Sequence, residues 1–366
     1  MYLKALCACV LLTASVLADE GEFQRLSAQA NAARDANNVP QAIALYRQAL
    51  ALNPRWDQGW WYLGTLLYDS DQYTDGRDAL RHLLELQPNA GPAWGLLGLC
   101  EFETGENDKA LADVERGLAA SSELQPGMEA VLRFHEALLL TRAGQFDRAI
   151  QTYAMLIRRG SRSPELVSAV GLAALRRPML PKEIPPGQTD LFLSAGKASI
   201  FTMSGDLEHA QQALNDLAAR FPDASGVHYL RGTFLLVADT AQAVDEFKEE
   251  LRVNPSNSAA GAMLAWVLLR AGELQTALPY AEKAATLAPD YAIAQFVYGR
   301  LLVETGSVER GIERLRAAET IDATFLETHM SLATAYSRIG RTEEARRERE
   351  ISLELSRKEA SSLAQR

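Results

Sequence analysis

Apolar residues recur along most of this chain at helical spacing, and the runs end in a repeating way. Asn53-Pro54, Gln87-Pro88, Asn254-Pro255 and Ala288-Pro289 each close an amphipathic run, because proline cannot continue a helix. Pro54 to Pro88 and Pro255 to Pro289 are both separated by 34 positions. A 34-residue frame fixed on these prolines starts at 23, 57, 91, 130, 191, 225, 258, 292 and 326, the unit at 225 being one residue short near Asp239. Near the middle of most units stands a glycine: Gly105, Gly144, Gly205, Gly272, Gly306 and Gly340. Glycine takes the left-handed conformation that ends a helix, and Asn37 and Asp71, which also tolerate it, replace it in the first two units. Each unit therefore predicts two helices joined by a tight turn.

Residue size supports the frame. Its eighth place holds Ala30, Gly64, Gly98, Ala137, Ala198, Gly232, Ala265, Gly299 and Ala333. Its twentieth holds Ala42, Gly76, Ala110, Ala149, Ala210, Ala243, Ala277, Gly311 and Ala345. Every one is Ala or Gly, as expected where two antiparallel helices cross closely. Trp60, Trp94, Tyr46, Tyr153 and Leu315 are large enough to fill the space between hairpins.

The pattern resembles the tetratricopeptide repeat family, a 34-residue helix–turn–helix unit. Trp60-Trp61-Tyr62-Leu63-Gly64 with Tyr73, Gly76 and Pro88 is the closest single match; Trp94, Leu97-Gly98, Gly105 and Ala110 make the next. The resemblance implies an all-α protein, an α-solenoid forming a right-handed superhelix of about nine repeats. It also implies a concave groove lined by the first helix of each hairpin, binding of peptide or protein, and no chemistry.

Two stretches depart from the frame. Residues 125–129, with Gln125-Pro126-Gly127, read as a short linker. Residues 164–190 add a helix from Pro164 to Arg176, then the proline-rich Pro178–Gly187, whose prolines favour an extended path. Pro178 and Pro181 form a P-x-x-P spacing that suits an aromatic-lined groove, although a crossover is the plainer reading. The expected organisation is an N-terminal block over 19–163, a crossover at 164–190, a C-terminal block over 191–359 and a tail at 360–366. Arg341 to Glu359 interleaves both charges, with Ile351, Leu353 and Leu355 as an apolar edge, and reads as a capping helix.

The first residues follow a different pattern. Lys4 precedes an apolar run, Ala5 to Leu17, and Val16-Leu17-Ala18 offers the small residues of a cleavage site. The 14 residues between Lys4 and Asp19 fall short of the roughly 20 that span a bilayer. Residues 1–18 thus read as an export signal cleaved after Ala18, leaving no membrane span and a periplasmic or secreted protein. Cleavage removes Cys7 and Cys9; Cys100, within Leu97-Gly98-Leu99-Cys100, reads as a small buried hydrophobe.

Composition narrows the function. The 366 residues are 48% hydrophobic and 23% charged, with 37 basic against 47 acidic side chains, net -10. A duplex-binding surface needs clustered cations, so nucleic acid is a poor partner for an acidic chain. No HExxH, CxxC, GxSxG or phosphate-binding glycine loop occurs, and the five histidines lack metal-ligand spacing. An enzyme, a cofactor and a metal are therefore not expected.

In the resembled family the groove is reached from the second, fifth, ninth and twelfth places. These give Trp61, Thr65, Tyr68, Phe102 and Phe134 on one stretch, and Tyr229, Trp266, Phe296 and Arg300 on another. Aromatic groups supply much of the energy at interfaces. The groove cations, mainly Arg34, Arg270 and Arg300, are scattered, which disfavours a carboxylate clamp and favours a hydrophobic peptide or partner helix. The alternatives are self-assembly through the outer face, and a glycan or small molecule stacked on the groove aromatics.

Overall fold

The computed structural model of the chain describes residues 2–120, 124–161 and 163–364; the side chains of 2–18, where the expected export signal falls, lie outside the described residues. The described residues are helical with no strand, and the chain divides into two compact units, one ending at Pro185 and the other beginning at Pro186. Each unit is an α-solenoid stack. In unit 1, helices α1 (Tyr2–Asp35) and α2 (Val39–Leu52), α3 (Asp57–Tyr68) and α4 (Tyr73–Leu86), α5 (Gly91–Glu103) and α6 (Asn107–Ala119), and α7 (Pro126–Arg142) and α8 (Phe146–Arg158) form hairpins. Helix α9 (Pro164–Ala174) follows unpaired. Unit 2 pairs α10 (Thr189–Met203) with α11 (Leu207–Arg220), α12 (Val227–Ala238) with α13 (Thr240–Val253), and α14 (Ser258–Arg270) with α15 (Leu274–Leu287). It continues with α16 (Ala292–Glu304) on α17 (Val308–Ile321) and α18 (Leu326–Arg338) on α19 (Thr342–Ala364). Among the described residues no helix is long and apolar enough to cross a membrane.

The turns follow from the sequence. The six mid-unit glycines all have positive φ, as do Asn37 at 55° and Asp71 at 58°. At each, the next residue's N–H reaches back to a carbonyl near the end of the first helix, for example Glu106 N to Glu101 O at 2.8 Å. Arg176, at φ 55°, ends α9 in the same way, with Arg177 N donating to Leu172 O at 2.8 Å. Helix α9 is thus a first helix whose second helix is missing; proline at 178 and 181 prevents one from forming. In the short unit, Asp239 alone joins α12 to α13, its carboxylate accepting from Gln242 N at 3.0 Å.

The small places are where the hairpins cross. All eighteen are buried. A β-carbon added at Gly98 would stand 2.8 Å from Val114 N and 2.9 Å from Ala110 O; one at Gly299 would stand 3.0 Å from Gly311 O. The filling places do more than fill. Trp60 and Trp94 donate Nε1–H to the carbonyls of Pro54 and Pro88, at 2.9 and 2.8 Å. His228, Gln295 and His329 stand at the same place and reach Pro222, Pro289 and Ala323 carbonyls at 2.9, 3.2 and 3.0 Å. One side-chain donor, six residues on, therefore ties down the loop that enters the hairpin.

Three expectations change. Residues 126–129 are not a linker: Pro126 opens α7, its fixed φ suiting a first turn, so the extra residues lengthen that helix. Pro178–Gly187 is not one extended run: a bend at Met179, a 3-10 turn at Pro181–Glu183 and a turn at Pro186–Gly187, with Gly187 at φ 88°, interrupt it. In α19, Ile351 and Leu355 are half-buried but Leu353 is 57% exposed, because the face that packs is carried by Ala345 and Glu348.

Glu348 and Glu246 explain two buried histidines. His329 Nδ1 lies 2.7 Å from Glu348 and His228 Nδ1 lies 2.7 Å from Glu246. With each Nε2 donating to a carbonyl, an Nδ1 that faces an ionised carboxylate is best satisfied as a second donor, which favours the imidazolium form of both rings. The fold also brings Glu319 close, so that Glu319, His329 and Glu348 set ligand-type atoms within 4.8 Å of one another. In its imidazolium form His329 offers no lone pair to a metal. For His228 the Glu246 hydrogen bond raises the pKa against the opposing effect of burial. For His329 burial is the largest influence and lowers it, but Glu348 and the Ala323 carbonyl outweigh it and the net shift is upward.

A base whose pKa is raised by folding contributes stability that is complete below the ordinary histidine range, about 6.5, and is lost as pH rises through the raised value. In unit 1 burial raises the paired carboxyls Glu101 and Asp113, whose contribution is lost as pH climbs from about 4 through their raised values, and lowers His135, whose smaller opposing contribution is lost as pH falls below about 6.5. Thermal melts of the full chain should therefore show a Tm a few degrees higher at pH 6 than at pH 8.5, one kcal/mol being worth roughly 2–4 °C at this size. His228→Gln with His329→Gln keeps the loop-holding N–H, as Gln295 does natively, and should flatten most of that dependence. A slope unchanged by the pair would assign it to other groups.

Candidate binding face

Neighbouring first helices lie side by side in each unit: α3 touches α5 and α5 touches α7, while α14 touches α16 and α16 touches α18. Their shared face carries the residues expected to line a groove. On α3, Trp61, Thr65 and Tyr68 stand one turn apart and are half-buried, leaving surface to meet a partner. Thr65 donates its hydroxyl to its own helix, at Tyr62 O, 3.0 Å. The Tyr68 ring stands edge-on to Tyr73 with centroids 5.6 Å apart, and burial raises its pKa to about 12, so it remains a neutral donor. Arg34, on α1, is already committed: it donates to the Tyr46 hydroxyl of its own hairpin at 3.3 Å and lies 3.8 Å over the Tyr62 ring of α3 in the next.

Phe102, Tyr229 and Phe296 depart from expectation. They are 8%, 9% and 1% exposed: Phe102 and Phe296 pack between hairpins, and Tyr229 against its own second helix, instead of facing outward. Phe102 of α5 meets His135 of α7 edge-on at 5.0 Å, and Phe134, half-buried, meets the same His135 at 5.8 Å and Tyr153 at 6.5 Å. Tyr229 leans on Phe247 at 6.2 Å. Trp266, half-buried, stacks at a tilt on Phe296 at 5.5 Å, and Phe296 on Phe325 at 4.9 Å. A ring at these places is long enough to reach the next hairpin, and where that hairpin offers an apolar neighbour the ring joins the core. Arg300 is 40% exposed and pairs with Glu304 at 3.6 Å; Glu304 also holds Arg338 at 2.8 Å, so this cation is already matched.

The proline-rich segment, whose P-x-x-P spacing suits an aromatic-lined groove, lies against this face. Lys182 places its ammonium 5.4 Å over the Phe102 ring. Arg142, at the end of α7, donates to Pro178 O at 2.8 Å and pairs with Glu183 at 3.4 Å. Glu183 in turn accepts from Leu180 N at 2.7 Å, closing the turn, and Leu180 is buried. A stretch of backbone thus crosses two neighbouring first helices, held by one ring and one guanidinium. The charges Lys182-Glu183 inside a run of prolines were the available signal.

Cys100 sits at the back of this face, fully buried, and burial raises its thiol to about 12. It behaves as a small hydrophobe, as its surroundings in sequence suggest.

A model of the tetratricopeptide repeat matches residues 27–70, 63–126, 237–292 and 262–324, together just over half of the chain. No curated protein matches it. Among solved structures, MamA from Desulfovibrio magneticus RS-1 aligns at 24% identity over 46% of this chain and 96% of its own, TM-score 0.40. YrrB, a TPR protein with an unusual peptide-binding site, aligns at 21% identity over 43% and 82%, TM-score 0.37. Yeast Tom70 aligns at 12% identity over 92% and 85%, TM-score 0.38.

Proposed function

This chain belongs to the tetratricopeptide repeat family, and from that premise we propose that it is a non-catalytic scaffold that holds a peptide or helix of a partner protein on its first-helix face. Its nine hairpins are read as nine repeats, three of them (α7–α8, α10–α11 and α18–α19) beyond the stretches that the family model matches. The observation that carries the proposal is the half-buried row Trp61, Thr65 and Tyr68 on α3, large amphipathic side chains that neighbouring hairpins leave uncovered on one side. Aromatic anchors of this kind dominate binding energy because they bury much area and lose little side-chain freedom. Of the cations on the face, Arg34 and Arg300 are already matched within the protein.

The proposal includes export. The apolar run before Asp19 supports a signal cleaved after Ala18, so the scaffold would act outside the cytoplasm. One purification from the native host tests both parts. Wild-type chain and a Trp61→Ala/Tyr68→Ala variant are used as bait, and the captured proteins are compared by mass spectrometry. Loss of two anchors should weaken capture at least tenfold, about 1.4 kcal/mol, while helical circular dichroism stays the same. Undiminished capture would move the site off α3. N-terminal sequencing of the same material should read from Asp19; a chain starting at Met1 would sink export.

A further inference from the structure

We infer that the face of unit 1 is occupied in cis: Pro178–Pro185 is a built-in ligand mimic, and the partner segment that displaces it is extended and carries a basic residue beside a proline. This rests on the reading of that face as the binding site and names its partner chemistry and its control.

The geometry is that of a bound peptide. The segment is extended at Leu180, φ -89° and ψ 156°, and at Ile184, φ -62° and ψ 123°, on either side of one turn. It lies across α5 and α7, two consecutive first helices, and not along a groove between helices of one hairpin. Its holds are of the kinds that recognise a peptide in trans. A cation sits over an aromatic face at Lys182–Phe102, a guanidinium meets a backbone carbonyl at Arg142–Pro178, and an ion pair joins Arg142 to Glu183. Lys182 and Glu183 are exposed, so these holds are peripheral and can be exchanged. Proline on both sides keeps the strand extended and lowers the entropy lost on docking, in cis or in trans.

The tether sets the strength of the block. The segment follows α9 directly, so its effective concentration at the face is about millimolar, as for a short linker. A trans peptide with an intrinsic Kd of about 100 µM would then appear roughly tenfold weaker than it is. A partner must carry a better version of the same contacts or bring further contacts along α3.

The test uses the full chain and a fluorescent peptide with the sequence of residues 177–187. Lys182→Ala with Glu183→Ala in the chain loosens the segment and leaves the face intact; both side chains are exposed, and an unchanged Tm confirms the fold. The peptide should bind this variant about tenfold more tightly than wild type. Adding Phe102→Leu should abolish the gain, and replacing the lysine of the peptide by alanine should do the same. Equal binding to wild type and variant, no binding to either, or a gain that survives Phe102→Leu each overturns the inference. The two readings fail separately. Partner capture lost with Trp61→Ala/Tyr68→Ala but indifferent to the segment variant keeps the scaffold and sinks the cis block. Peptide binding without capture of any partner does the reverse.

Discussion

Glu250→Ala is expected to remove roughly 3–5 kcal/mol from unit 2, measured as the shift in urea unfolding of the full chain. Glu250 has no exposed surface, yet its carboxylate is fully used. It accepts from Gly226 N at 2.8 and 2.9 Å, from Tyr229 N at 3.3 Å and from Asn257 Nδ2 at 2.7 Å. Gly226 precedes α12 with φ 93°, so the negative charge lies where the first N–H groups of that helix are unpaired and its dipole is positive. Hydrogen bonds to a charged group contribute about 1.5–3 kcal/mol each, and a buried donor left without a partner costs about 1–3. Alanine leaves several such donors around a cavity. Glu250→Gln keeps the volume and one acceptor oxygen, and should fall between. An alanine variant within 1 kcal/mol of wild type would mean that water reaches the start of α12.

Gly98→Leu should cost roughly 3 kcal/mol or more and loosen the hairpin of α5 and α6. The atoms that a β-carbon would meet there are not only the tip of Val114, at 2.7 Å, but the α6 backbone at Val114 N and Ala110 O. A side chain can rotate away; a helix backbone can only be pushed off, and overpacking of that kind commonly costs 1–3 kcal/mol before the larger side chain is counted. Gly261→Ala is the matched control. Its added carbon would sit 3.5 Å from Ala284 Cβ and Tyr280 O, in ordinary contact on α14. Alanine there should stabilise by about 0.5–1 kcal/mol, since glycine inside a helix wastes chain entropy. If both substitutions behave alike in denaturant titrations, helix crossing distance is not what fixes the small places.

These two variants mark what could and could not be read from the residues. The small places, the left-handed turns and the all-helical stack were legible because each depends on local geometry: an Ala or Gly where helices cross, a Gly, Asn or Asp where φ turns positive. Arg176 shows the limit, a left-handed residue with none of the usual chemistry, in a stretch that the 34-residue frame does not cover. Glu250 was not legible, because in sequence it is one acid among many on a helix rich in charge; only the fold places it against the start of α12. The groove list fared in the same way. Trp61, Thr65 and Tyr68 stay half-uncovered, while Phe102 and Phe296 are taken into the core by rings on adjacent hairpins that lie tens of positions away in sequence, and Tyr229 by Phe247 of its own hairpin. Place in a repeat tells which way a side chain leaves its helix, and the neighbour decides what it meets.

The pairing of each helix with the ones just before and after it bears on how fast the chain can organise itself. Among the described residues no strand has to wait for a distant partner, and the loops to be closed span about one repeat. Closure entropy grows only with the logarithm of loop length, so each new hairpin adds nearly the same small entropic barrier as the last. Such an array can start wherever one hairpin forms first and grow outward in both directions, and it should come apart from its edges. The tied-down loops at Trp60, Trp94, His228, Gln295 and His329 then act as clasps, each fastening the next hairpin as the stack reaches it.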